Sequence, residues 1–108
     1  MKKIEYHKLV RDRIPEIIEE DGKTCECSVL SQQDYISLLD QKLNEELAEY
    51  QESKSMEELA DLLEVMIAVA AARDSSMEEV EKIRIKKKEK RGGFEKRILL
   101  ETVTDQED

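Results

Sequence analysis

Large aromatic side chains are nearly absent from this 108-residue sequence, which has no tryptophan, one phenylalanine and three tyrosines. Any hydrophobic core must therefore be mainly aliphatic. Cys25 and Cys27 are the only cysteines, and they lie too close in sequence to join distant segments, so the fold must rest on packing. They also lack the further ligands of a zinc site, and we interpret them as reduced thiols.

Long apolar runs are also missing. No uncharged apolar stretch approaches the roughly 20 residues that a helix needs to cross a bilayer, and the first residues do not lead into the apolar stretch of a signal peptide. We therefore expect a cytoplasmic protein with no membrane partner. The length fits a single domain over residues 1–108, with a frayed end at residues 103–108.

Basic residues are outnumbered, with 18 Lys and Arg against 27 Asp and Glu, and the formal net charge is -9. This balance argues against a nucleic acid polymer as partner, because the electrostatic term would be repulsive. The charge is unevenly distributed: residues 1–13 carry +3, residues 14–81 carry -15 and residues 82–97 carry +7. An acidic middle between two basic flanks requires an explanation.

Glycine and proline are scarce, so the few breaks between helices stand out. Capping residues and apolar spacings of three and four predict four helices. They run over residues 15–20, from residue 31 to the break at residues 53–55, from residue 55 to about residue 73, and from residue 77 to about residue 91. Residues 24–30 alternate briefly and predict at best one short strand. We therefore expect an all-α antiparallel helical bundle with short irregular terminal segments.

The later half of the third predicted helix, residues 65–72, is apolar on every face. Such a helix must be covered on all sides, which a chain of this length with three or four helices can hardly do alone. We therefore expect a homo-oligomer, a dimer or a tetramer, with this helix central to the interface.

Carboxylates are concentrated in two motifs on consecutive predicted helices. The motifs are EELAE at residues 45–49 and ELAD at residues 58–61. Glu46 and Glu49 share one helix face, as do Glu58 and Asp61. If the helices fold back on each other about residues 53–55, Glu49 is level with Glu58 and Glu46 with Asp61. All four acids then lie at the edge of the apolar face.

Four ionised carboxylates in this arrangement repel one another, by about 1 kcal/mol per pair at 4 Å in water and about 4 kcal/mol at an effective dielectric of 20. Oxygen ligands without nearby histidine or cysteine favour Mg²⁺, with Mn²⁺ as the alternative, over Zn²⁺. Each motif alone is more typical of a solvated helix face, and Glu58 also fits a capping box with Ser55. The shared register favours a metal site.

Basic side chains flank the acidic middle on both sides. Bound Mg²⁺ is normally completed by substrate phosphates, which attract lysine and arginine. Lys87, Lys90 and Arg91 have the spacing that places side chains on one helix face. The candidates for phosphate binding are Lys8, Arg11 and Arg13 before the acidic middle, and Lys86, Lys87, Lys88, Lys90 and Arg91 after it.

Three motifs together resemble those of a known family. KLVRDRIP at residues 8–15, the paired acidic motifs, and KRGGF at residues 90–94 are similar to motifs of the MazG-like all-α nucleoside triphosphate pyrophosphohydrolases, in the phosphoribosyl-ATP pyrophosphohydrolase-like branch. The resemblance covers about residues 6–100. It implies an oligomeric all-α bundle that binds Mg²⁺ and hydrolyses a nucleotide between its α- and β-phosphates, in a house-cleaning role.

The resemblance also implies roles for individual residues. The metal ligands would be Glu46, Glu49, Glu58 and Asp61, with Glu45 as the fifth acid of the motif. We expect Glu45 or Glu49 to orient or deprotonate the attacking water, and the basic flanks to offset charge on the leaving pyrophosphate. The link between the two motifs is shorter than in typical MazG domains, which leaves nucleotide preference open. Phosphoribosyl-ATP is an alternative substrate, and a non-catalytic helical interaction module is the alternative of another class.

Overall fold

A computed structural model describes residues 2–105 of the chain. Its helices are α1 (Ile14–Glu20), α2 (Gln32–Ser53), α3 (Met56–Ala72) and α4 (Met77–Arg91). No strand occurs within residues 2–105, so the all-α fold class is confirmed. The predicted helix bounds agree with the observed ones to within one residue.

The short strand expected at residues 24–30 is wrong. This segment is irregular, and the side chain of Val29 in it is fully exposed. Alternation alone does not make a strand, because a strand is held by hydrogen bonds to a second strand. The described part of the chain offers no such partner.

By its backbone contacts, the chain separates into two compact units, one up to Met77 and one from Glu78 onward. The first unit contains α1, α2 and α3, and with them both acidic motifs. The prediction of one domain over the whole chain stays a prediction.

In the second unit, α4 ends at a glycine as expected. The N–H of Gly92 donates to the carbonyl oxygen of Lys88 at 2.7 Å, and Gly92 has a φ of +84°, which glycine adopts without strain. The tail that follows is irregular and exposed, including Phe94. Of the predicted frayed end, residues 103–105 are irregular, and residues 106–108 lie outside the described residues.

Serine caps begin both long helices of the first unit. The hydroxyl of Ser31 accepts the N–H of Asp34, and the hydroxyl of Ser55 accepts the N–H of Glu58, each at 3.2 Å. These bonds satisfy N–H groups that have no partner inside the helix. Lys54, in the left-handed region with a φ of +56°, ends α2 and leaves only Ser55 before α3.

The two-residue link makes α2 and α3 an antiparallel hairpin. At its open end, the side-chain amide of Gln32 donates to the carbonyl oxygen of Ala72 at 3.4 Å. Among the described residues, the buried apolar side chains are Leu39, Val65 and Ala70. The core is therefore small, and it is aliphatic as expected. The hairpin places the two acidic motifs opposite each other near its closed end.

One face of α3 remains exposed although it is apolar. Leu59, Leu63, Met66 and Ile67 lie on it at helical spacing, and each keeps between 38% and 49% of its surface exposed. We call these four residues the apolar α3 face. Within residues 2–105, no helix has both the length and the apolar character that crossing a membrane requires.

Candidate metal centre

Three carboxylates converge between α2 and α3. Glu46 on α2 and Glu58 and Asp61 on α3 each offer an oxygen that lies within 4.8 Å of the other two. Glu58 and Asp61 are three residues apart and therefore share one face of their helix. The two-residue link then brings this face against the turn of α2 that carries Glu46. We call these three residues the acidic cluster.

Glu46 is the buried member of the acidic cluster, with 8% of its surface exposed, whereas Glu58 and Asp61 are half-buried. The Oε2 atoms of Glu46 and Glu58 are both buried, and neither has a hydrogen-bond partner. A buried carboxylate oxygen without a partner costs free energy unless a positive charge or a donor compensates it. The arrangement therefore favours a cation.

Two basic side chains neutralise part of the acidic cluster. The Nζ of Lys42 lies 3.4 Å from Oε1 of Glu46 and 3.8 Å from Oε2 of Glu45. The Nη2 of Arg11 donates to Oδ1 of Asp61 at 2.7 Å. These contacts leave Oε2 of Glu46 without a partner.

The pKa of Glu46 reflects this environment. Burial raises the pKa of its carboxyl above the ordinary value of 4.5, and the neighbouring Glu49 carboxylate raises it further. Lys42 acts in the opposite direction and only reduces the rise. In the metal-free protein, ionised Glu46 is therefore less favourable than the same group in the unfolded chain.

This raised pKa predicts how the stability of the metal-free protein depends on pH. Because the folded state binds the Glu46 proton more tightly, the contribution of Glu46 to the free energy of unfolding falls as pH rises from about 4.5 through the raised pKa. Glu46→Gln removes this loss, so its melting temperature in EDTA should exceed that of wild type increasingly as pH rises. Exposed Glu52 provides the control variant Glu52→Gln. If the difference in melting temperature between Glu46→Gln and wild type stays constant as pH rises, the prediction is contradicted.

The two other acids of the first motif lie beside the acidic cluster. Glu45 is exposed and pairs with Lys42, and Glu49 is exposed and adjoins Glu46. Four carboxylates were predicted to lie together across the hairpin. The structure brings Glu46, Glu58 and Asp61 together, and it does not bring Glu49 into this trio. Glu49 as a metal ligand stays a prediction.

The predicted basic residues lie in both units, and those of the first unit have different surroundings. Arg11 contacts Asp61, and Lys8 lines a recess of about 150 Å³ together with Lys42 and Glu45. Arg13 instead pairs with Glu16, with Nε and Oε2 3.1 Å apart. The remaining phosphate-binding candidates are exposed on α4 in the second unit: Lys86, Lys87, Lys88, Lys90 and Arg91.

Lys42 is the functional candidate that the sequence analysis missed. Its side chain is only 15% exposed, and it contacts both Glu45 and Glu46. The signal was present in the sequence, because residues three and four positions apart are neighbours on a helix surface. Lys42 lies in the acidic middle of the sequence, outside the two basic flanks that contain the predicted phosphate-binding residues.

Comparison with known proteins yields one partial relative. A protein of Mycolicibacterium smegmatis, described as an uncharacterized protein, is 54% identical over 41 residues, which are 38% of this chain and 42% of that protein. The match thus spans less than half the length of the relative. The chain matches no protein-family model and no solved structure.

Proposed function

We propose that the chain is a Mg²⁺-dependent nucleotide pyrophosphohydrolase of the MazG-like type. It would cleave a nucleoside triphosphate or a related nucleotide between the α- and β-phosphates, giving a monophosphate and pyrophosphate. The observation that carries the proposal is the buried carboxylate of Glu46, which lies with Glu58 and Asp61 and has an oxygen without a partner. The similarity of the three sequence motifs to that family supports the same activity.

The acidic cluster fits Mg²⁺, with Mn²⁺ as the alternative, on two grounds. Its donor set consists only of oxygen, which hard divalent cations prefer. Its two buried oxygens have no hydrogen-bond partner, and a bound cation would compensate them. Glu46, Glu58 and Asp61 would hold the ion, and Glu49 is the further ligand that the sequence predicts. When bound, the ion supplies positive charge to the phosphates and makes the attacking water more acidic.

The water that attacks phosphorus needs a carboxylate to orient it and accept its proton. A suitable group lies beside the metal ligands without being fully committed to them. Exposed Glu49 meets this description, since it adjoins Glu46 but is outside the acidic cluster. Glu45 is the alternative, although its ion pair with Lys42 restrains it.

The triphosphate needs positive charge where negative charge develops on the leaving pyrophosphate. Arg11 offers a planar fork of donors that matches phosphate oxygens, and it already lies against Asp61. Lys8 lines the recess that Lys42 and Glu45 share. For Lys87, Lys90 and Arg91 of the second unit, phosphate binding stays a prediction from the sequence.

The working form is proposed to be a homo-oligomer, a dimer or a tetramer. The apolar α3 face consists of large side chains that remain between 38% and 49% exposed. Contiguous exposed apolar patches of this kind are typical of protein interfaces. A second copy of the chain, docked through the same face, would remove them from water.

The test is pyrophosphate release from a panel of nucleoside triphosphates and phosphoribosyl-ATP, with Mg²⁺ and with EDTA. We expect metal-dependent release from at least one compound, with the nucleoside monophosphate as the second product. Preferential turnover of phosphoribosyl-ATP would identify the alternative substrate. No release from any compound with Mg²⁺ or Mn²⁺ would contradict the activity and favour the non-catalytic interaction module.

A further inference from the structure

Asp61 pairs with a basic side chain from outside the hairpin, whereas the basic partner of Glu46, Lys42, lies on the same helix as Glu46. The Oδ1 of Asp61 accepts a hydrogen bond at 2.7 Å from Arg11, a residue 50 positions away in the irregular segment before α1. The Oε2 atoms of Glu46 and Glu58 have no such donor. In the metal-free protein, the guanidinium therefore supplies the positive charge at Asp61.

The ion pair between Arg11 and Asp61 is weak enough to be broken by a competing cation. The side chain of Arg11 is 55% exposed, that of Asp61 is 43% exposed, and ion pairs this exposed contribute little to stability. The hydrogen bond and the ion pair of the Arg11 side chain both go to Asp61. The segment that carries Arg11 precedes α1 and has no helix of its own, so its side chain can turn away without disturbing the hairpin.

We propose that Arg11 is a displaceable counter-ion that couples metal binding to phosphate binding. Glu46, Glu58 and Asp61 would hold a divalent cation, whose charge would replace that of the Arg11 guanidinium at Asp61. Arg11 then offers its donors to the phosphates of the substrate. Arg11 is thus a positioning residue for the metal site when it is empty and a phosphate ligand when it is filled. This inference rests on the proposed function. It adds that metal binding precedes the contact between Arg11 and the phosphates.

Linkage makes the two binding events reinforce each other. If Arg11 must leave Asp61 to contact phosphate, a phosphate group raises the affinity of Asp61 for the metal, and the metal raises the affinity for phosphate by the same factor. Without Arg11, no guanidinium competes with the metal for Asp61. The part of the coupling between metal binding and phosphate binding that depends on Arg11 is then lost.

The experiment is a calorimetric titration of the full chain with Mn²⁺ or Mg²⁺ alone, without nucleotide. Arg11→Gln should bind the metal about threefold to tenfold more tightly than wild type, because a competing cation has been removed. Arg11→Lys keeps the charge, and its metal affinity should lie between those of wild type and Arg11→Gln. The matched control is Arg73→Gln, since Arg73 pairs with Asp40 at 2.6 Å with side chains 55% and 45% exposed, and its metal affinity should equal that of wild type.

A second arm measures inorganic pyrophosphate binding with and without metal. The metal should strengthen pyrophosphate binding in wild type and strengthen it less in Arg11→Gln. If Arg11→Gln binds metal as wild type does, or more weakly as a merely structural role predicts, the counter-ion proposal is overturned while the metal site stands. If neither protein binds Mn²⁺ or Mg²⁺, the proposed function and the counter-ion proposal both fail.

Discussion

Glu46→Gln should lower the rate of metal-dependent pyrophosphate release by about 100-fold or more, because the substitution removes the charge of the buried cluster residue. Glutamine has nearly the same shape, so the hairpin should remain folded. The variant should be more stable than wild type in EDTA, since the unfavourable buried charge is gone. The melting temperature and the rate should therefore change in opposite directions, which separates loss of function from loss of fold.

The matched control for this prediction is Glu52→Gln, the same chemical change at an exposed position of α2. We expect it to retain both the wild-type rate and the wild-type response to metal. Asp61→Asn should also lower the rate, because it removes the charge of a second residue of the acidic cluster. Wild-type turnover in both Glu46→Gln and Asp61→Asn would contradict the assignment of the cluster to catalysis.

Leu63→Glu should dissociate the oligomer, raising its dissociation constant by about 100-fold or more. Leu63 is the most exposed of the four residues of the apolar α3 face, at 49%. A carboxylate there would have to lose its hydration in an interface, whereas it stays hydrated in the separate chain. The measurement is molar mass by light scattering over a range of protein concentrations.

The control for the interface is Val29→Glu, because Val29 is a fully exposed apolar residue outside the apolar α3 face. It should leave the molar mass unchanged. An oligomer that survives Leu63→Glu would show that another surface joins the copies. A wild-type chain that is monomeric at every concentration would contradict the proposal of a homo-oligomer.

Local signals in the sequence were sufficient for the helices and for much of the acidic cluster. Ser31 and Ser55 cap their helices as the capping patterns predict. The short link then forces the hairpin, and the hairpin register brings Glu46, Glu58 and Asp61 together. Each of these steps depends on residues near one another in the sequence, which is why periodicity and capping could predict them.

The features that the sequence did not predict depend on longer-range or finer geometry. The pairing of Arg11 with Asp61 follows from the path of an irregular segment, for which the sequence has no periodic signal. The position of Glu49 outside the trio depends on side-chain placement that hairpin register alone does not determine. The strand expected at residues 24–30 failed because alternation says nothing about whether a partner strand exists.

The most direct test of the central claim is the melting temperature of the metal-free chain upon addition of millimolar Mg²⁺ or Mn²⁺. A ligand that binds only the folded state stabilises it, by about 1.4 kcal/mol at a concentration ten times its dissociation constant. For a domain of this size we therefore expect a rise of about 5–10 °C in wild type, and little or none in Asp61→Asn. An unchanged melting temperature in wild type, at metal concentrations up to tens of millimolar, would contradict the acidic cluster as a metal site.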